Sequence, residues 1–182
     1  MNIPNILTIF RIVLTPVLVI FLMNKRFDLA FMVFAMAGLS DGLDGFLARV
    51  MNQKTKIGAI LDPIADKALL ASSYITLAVT GIIPNWLAVT VISRDLIIVF
   101  GVVVFFLFHS GIEIRPTAIS KLTTLFQLLT IFTVLATLVL GLKLKDLVGA
   151  LFILTAILTV ASGLHYLYKG ISMLNLEQNN HS

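Results

Sequence analysis

Asp41, Asp44, Asp62 and Asp66 stand within twenty-six residues of one another, between strongly apolar flanks, and are four of the chain's nine acidic residues. Carboxylates so placed are costly unless they are paired, hydrated or bound to a cation. Their spacing supplies a reason to keep them. On a helix, Asp41 and Asp44 are three residues apart and share a face. Gly45 and Ala48 fall on or beside that face and leave it open. Gly58, Asp62 and Asp66 form an i, i+4, i+8 stripe on a second helix. Two helices meeting here would gather four carboxylates around small residues. That is a hard-oxygen site suited to Mg²⁺ or Mn²⁺, and with two metals it would suit phosphoryl or pyrophosphate chemistry.

The stretch resembles the signature of the CDP-alcohol phosphotransferases (CDP-alcohol phosphatidyltransferases), D-x2-D-G-x2-A-R-x8-G-x3-D-x3-D. All eight fixed positions match: Asp41, Asp44, Gly45, Ala48, Arg49, Gly58, Asp62 and Asp66. The alternatives are a structural cluster of acids, or an ion pathway in a divalent-cation transporter. A transporter would need a polar path through both leaflets, and the outer halves of the apolar segments show few candidate groups. Gly-rich nucleotide loops of the Rossmann or P-loop kind are absent.

The resemblance implies a reaction in which a CDP-linked donor and an alcohol give a phosphodiester and CMP. It implies two ions of Mg²⁺ (or Mn²⁺), with Asp41, Asp44 and Asp62 as shared ligands and Asp66 completing the second metal. An attacking hydroxyl needs a general base, and in the family that role falls on the last aspartate, here Asp66. Gly45, Arg49 and Thr55 match family positions that contact the CDP group. Gly45 and Gly58 allow close approach by the ligand, and Arg49 can offer a fork to phosphate. The segment from Pro4 to Arg11 also resembles the P-N-x-L-T-x-x-R start of the glycerophospholipid branches, which places Asn5 and Thr8 against the CDP-lipid. From spacing alone, a helix cap followed by a snorkelling Arg11 reads equally well.

The elements that must position these residues are apolar. Six candidate spans, each near the roughly 20 residues a bilayer requires, run 6–23, 29–48, 60–83, 86–109, 118–142 and 147–168. Spanning segments must satisfy their own backbone hydrogen bonds, so an all-α, six-transmembrane-helix bundle is expected. No polar linker is long enough to divide residues 1–182, which therefore read as one domain. Pro4 suits a first helical turn. The polar tail after Lys169 is expected to fray. With both termini in the cytoplasm, Arg49, Lys54, Lys56, Arg115, Lys121 and Lys169 lie inside, and Lys25, Arg26, Lys143 and Lys145 outside. This bias agrees with a cytosolic CDP-activated substrate, an active site at the cytoplasmic side and a multi-pass protein of a bacterial inner (plasma) membrane.

Composition narrows the classes. Hydrophobic residues make up 59% of the 182, and mean hydropathy is +1.05, as in a polytopic membrane protein. There is no cysteine, hence no disulfide framework and no thiolate chemistry. The net charge of +4 reads as positive-inside bias and contact with anionic membrane lipid. Without a basic stripe carrying interleaved aromatics, nucleic acid is not an expected partner. The first apolar run carries Arg11 and lacks a small-residue cleavage site, unlike a cleavable signal peptide.

The donor expected from the resemblance is CDP-diacylglycerol, and a homodimer is a family expectation. For the acceptor, length, span number and the run LDPIADK resemble the phosphatidylglycerophosphate synthase branch, which uses glycerol 3-phosphate. Arg94, Arg115 and Lys121 are the cations available to bind it, although Asp95 could simply neutralise Arg94. That branch commonly shows a second Lys two residues after the position of Lys121; here that residue is Thr123. Ser93 to Asp95 and Pro116 to Lys121 look more like the cardiolipin synthases, whose acceptor is phosphatidylglycerol. Glycerol 3-phosphate leads, with phosphatidylglycerol as the alternative.

Overall fold

Six α-helices follow one another in a computed structural model that describes the backbone over residues 3–50, 56–108 and 117–180, and side chains over 8–40, 63–101 and 117–169. They are α1 (Ile3–Met23), α2 (Phe27–Val50), α3 (Lys56–Val79), α4 (Asn85–Phe108), α5 (Ala118–Leu140) and α6 (Lys145–Asn180). Among the described residues there is no strand. At about 1.5 Å per residue, α1 to α5, with 21 to 24 residues each, are long enough for the roughly 30 Å hydrocarbon core of a bilayer, and the 36 residues of α6 exceed it.

Local chemistry explains where the helices stop. Lys25 takes a positive φ of 57°, closing α1 with bonds from its own N–H to the Leu22 carbonyl and from the Arg26 N–H to the Phe21 carbonyl. Arg26 then pairs with Asp28 at 3.4 Å in the first turn of α2. The Arg26 guanidinium, helped by the Leu29 N–H, holds the Asp28 carboxyl below its usual range. Thr117 caps α5, its side chain accepting from the Ser120 N–H at 3.3 Å. Gly141, at φ 63°, ends the same helix in the left-handed conformation that glycine adopts without a Cβ penalty.

Helix bounds shift by up to four residues from the apolar runs read in the sequence, and by more at the end of α6. The third helix ends at Val79, not at residue 83, because Gly81 adopts φ 74° and the N–H groups of Ile82 and Ile83 fold back onto the Leu77 carbonyl. The sixth helix runs past Lys169 to Asn180. Leu, Met, Glu and Gln in that stretch are good helix formers, and no proline interrupts it.

Helix contacts close into a ring in the order α1, α2, α5, α6, α4, α3 and back to α1, with α3 also meeting α5 across the middle. The apolar core fills one half of this ring. It is built from Leu18 and Leu22 of α1, Val33 and Phe34 of α2, Leu70 and Leu77 of α3, Leu87 of α4, and Ile131 and Leu135 of α5. All of these lie toward the turns at Lys25, Gly81 and Gly141. The half nearer the aspartate stretch is polar inside: Thr8, Arg11, Ser40, Arg94, Thr123 and Ser162 are all buried there.

The exterior is the reverse. Leu39, Val79, Leu96, Phe100, Leu140, Ile157 and Leu164 are exposed. Among the described residues, Ala118–Leu140 and Lys145–Lys169 are long and apolar enough to cross a membrane, and Thr8–Met23 and Phe27–Ser40 are shorter apolar stretches. Trp86 and Tyr168 are exposed at opposite ends of the bundle, where interfacial aromatics are found.

Between α5 and α6 runs a seam of hydroxyl and amide groups. Thr130 and Thr155 share a hydrogen bond of 2.8 Å, Gln127 donates to Thr159 at 3.4 Å, and Thr123 donates toward the Leu158 carbonyl at 3.1 Å. Tyr74 of α3 donates to the Gln127 carbonyl at 3.2 Å. In lipid, where apolar burial gives little drive for helix association, such bonds contribute about 0.6–2 kcal/mol each.

Candidate functional site

The aspartate motif is divided between two helices. Asp41 and Asp44 lie on the second half of α2, Asp62 and Asp66 on the first half of α3, and both helices pack on α1. The side chains of Asp41, Asp44 and Asp62 lie outside the described residues, as do those of Asn5, Gly45, Arg49 and Gly58. Thr55 and Arg115 lie outside them altogether. Pro63, inside α3, has no N–H to give the carbonyl four residues earlier, which leaves a polar backbone atom within the motif.

Asp66 is the described member of the quartet. Its side chain is 40% exposed and forms an ion pair with Arg11 of α1, which is 1% exposed. Arg11 does not reach out to water as a snorkelling residue would; it points into the bundle. A cation buried to that degree persists only with an anionic partner, so α1 is tied to the last aspartate of the motif. Thr8, one turn earlier on α1, is fully buried.

On the other side of Asp66 the next residue, Lys67, pairs with Asp95 of α4. Asp95 also accepts from Arg94 Nη1 at 2.7 Å. Arg94 Nη2 donates to Ser120 of α5 at 2.6 Å and to Ser162 of α6 at 2.7 Å. One guanidinium that is 4% exposed thereby links α4, α5 and α6, and Asp95 extends the link to α3 through Lys67. The Arg94 Nε has no hydrogen-bond partner among the described residues. Both Nη groups of Arg94 are engaged within the bundle by Asp95, Ser120 and Ser162.

Of the other cations read as acceptor contacts, Lys121 is exposed in the first turn of α5. Thr123, where a second Lys would stand, is fully buried against α6. The structure therefore joins Asp66 to Arg11, and Arg94 to Asp95 and Ser120.

Sequence reasoning assigned no role to Lys67, Ser120 or Ser162. Lys67 could have been found by charge counting. Arg94 and Asp95 cancel, whereas Lys67 directly follows the motif in an apolar segment whose acids are the motif's own Asp62 and Asp66. Ser162 carries no comparable signal, because a serine in a membrane-type helix is common.

Comparison with known proteins identifies the family. The sequence profile of the CDP-alcohol phosphatidyltransferase family matches residues 1–162. The cardiolipin synthase (CMP-forming) of Rattus norvegicus is 36% identical over 93% of this chain and 61% of its own length. That of Homo sapiens is 35% identical over 93% of this chain and 62% of its own. The chain thus spans about three-fifths of these two relatives. The CDP-diacylglycerol--glycerol-3-phosphate 3-phosphatidyltransferase of Aquifex aeolicus is 32% identical over 96% of this chain and 98% of its own length. With the complete eight-position motif, a family profile over most of its length and a relative matched almost end to end, the chain belongs to the CDP-alcohol phosphatidyltransferase family.

Proposed function

We propose that the chain transfers a phosphatidyl group from CDP-diacylglycerol to an alcohol in phospholipid biosynthesis, releasing CMP. The observation that carries this reading is the motif divided between α2 and α3, with its last carboxylate half-exposed and held by a buried arginine. The donor set fits a hard divalent cation: four carboxylates, with no cysteine in the chain and no histidine near them in sequence. Asp41, Asp44, Asp62 and Asp66 are the residues that would hold one or two Mg²⁺ or Mn²⁺ ions. Such ions, when bound, supply neutralisation of pyrophosphate charge and stabilisation of the leaving phosphate.

The chain's own residues do the rest. Asp66 accepts the proton of the acceptor hydroxyl, whose oxygen forms a bond to the phosphatidyl phosphorus. The bond from that phosphorus to the bridging oxygen breaks, and CMP departs with the electron pair. Arg11 fixes the orientation of Asp66. Asn5, Thr8, Gly45, Arg49, Thr55 and Gly58 form the CDP-lipid contacts in this reading. All six helices span the membrane as one domain, with the motif at the cytoplasmic side, and a second copy of the chain is a partner carried over from the family.

For the acceptor, phosphatidylglycerol is favoured over the glycerol 3-phosphate first expected. Glycerol 3-phosphate carries a phosphate near −2 at pH 7 and relies on several charge-assisted contacts. Arg94 is already engaged by Asp95, Ser120 and Ser162, and Thr123 is buried. A singly charged lipid acceptor needs fewer cations and is already concentrated in the bilayer. The mammalian relatives named cardiolipin synthase support the same choice. Glycerol 3-phosphate stays the second reading because the relative of matching length is named for it. Purified protein given CDP-diacylglycerol with each acceptor separately should form cardiolipin from phosphatidylglycerol. Phosphatidylglycerophosphate formed from glycerol 3-phosphate, with no cardiolipin in the parallel reaction, would reverse the order.

Orientation has its own test. The chain lacks cysteine, so Asn52→Cys introduces a single thiol in the α2–α3 connection. It should resist an impermeant thiol reagent in intact cells and react once the membrane is opened. Labelling from outside would invert the assigned topology.

A further inference from the structure

Two cations share one carboxylate beside the proposed base. Lys67 and Arg94 both pair with Asp95, so this trio carries a net charge of +1. The Arg11–Asp66 pair next to it is neutral. An excess charge within an apolar bundle is unfavourable unless water or a counter-ion reaches it. The excess does not reside on Arg94, which is 4% exposed and bonded to Asp95, Ser120 and Ser162. It is presented by Lys67, whose side chain is 37% exposed, directly after the 40% exposed Asp66.

Consecutive residues on a helix diverge by about 100°. Asp66 turns to α1 and Lys67 to α4. A base and a cation, each more than a third exposed, therefore open side by side at one level of α3.

We propose that Lys67 binds the phosphate of the acceptor while Asp66 takes the proton from its hydroxyl, with Asp95 as the positioning residue that holds the lysine and Arg94 as the anchor of Asp95 in the bundle. The inference rests on the phosphatidyl-transfer reading and adds its acceptor subsite. Glycerol 3-phosphate and the phosphatidylglycerol headgroup share the relevant chemistry, a primary hydroxyl joined through a three-carbon glycerol to an anionic phosphate. A single presented cation matches the single charge of the phosphodiester more closely than the dianion.

Lys67→Gln is the informative variant, because it leaves Arg94 and Asp95 as a neutral pair and strands no buried charge. Its KM for the acceptor should rise by roughly tenfold or more, as expected when one charge-assisted hydrogen bond is lost, while its KM for CDP-diacylglycerol holds. Lys67→Arg, which keeps the charge, should recover most of that loss. The measurement uses purified full-length protein with phosphatidylglycerol in mixed micelles and, separately, glycerol 3-phosphate. A Lys67→Gln enzyme with an unchanged acceptor KM overturns the inference. So does one whose loss falls on kcat alone or equally on both substrates, or one that Lys67→Arg does not rescue. Wild-type protein that transfers to neither acceptor refutes the phosphatidyl-transfer reading instead, so the two failures are distinguishable.

Discussion

Asp41→Asn and Asp62→Asn are each expected to abolish phosphatidyl transfer with Mg²⁺ or Mn²⁺ in excess, and chelation of divalent cations should do the same to the unaltered protein. Asparagine keeps the size of aspartate and one acceptor oxygen, but it removes the negative charge a hard cation requires. Carboxylates gathered around a cation repel one another when it is absent. Removing one charge should therefore leave the fold intact, or stabilise it, while removing function. Transfer rate against metal concentration is the measurement, with thermal stability as the control. Substantial activity in either variant at saturating metal would eliminate that aspartate as a ligand the reaction needs.

Asp66→Asn should lower turnover by roughly 10²–10⁴-fold, the usual contribution of a positioned general base, and leave CDP-lipid binding largely intact. The Arg11–Asp66 pair adds a structural consequence. Arg11 is almost fully buried, so taking the charge from Asp66 weakens the compensation of a buried cation, a change that costs about 3–5 kcal/mol when a fully buried pair is broken outright. The half-exposure of Asp66 moves the expected cost below that range. A lowered melting temperature should therefore accompany the loss of turnover, and Arg11→Met should reproduce part of the turnover loss by removing a contact that orients Asp66. Full activity in Asp66→Asn would rule it out as the base.

The polar half of the bundle links these results. Arg11, Asp66, Lys67, Asp95 and Arg94 form two ion-paired groups that meet at consecutive residues of α3. One group reaches α1. The other reaches α4 and, through Ser120 and Ser162, α5 and α6. The proposed base and acceptor cation thus stand on a helix held from both sides by bonds stronger than apolar packing in lipid supplies.

Much of this was legible in the residues. Six apolar runs of bilayer length, separated by short charged or glycine-containing turns, determine an all-helical chain, because hydrophobic length and backbone satisfaction are local properties. The eight-position motif likewise carries its family in its spacing, because residues three and four apart on a helix share a face whatever surrounds them. Helix ends were less legible. Val79 ends α3 because Gly81 turns left-handed there, a choice among backbone conformations that the apolar run through Ile83 conceals.

Pairing was decided only by the tertiary structure. Arg11 and Asp66 are fifty-five positions apart, and Arg94 and Ser162 sixty-eight; no periodicity connects them. Sequence alone offered Arg11 as a snorkelling residue and Arg94 as an acceptor contact, since a lone arginine in an apolar run fits either role. Packing of α1 on α3, and of α4 on α6, turned both guanidinium groups inward. Charge near a bilayer must find a partner, and the order in which the helices close their ring chose which partner each one met.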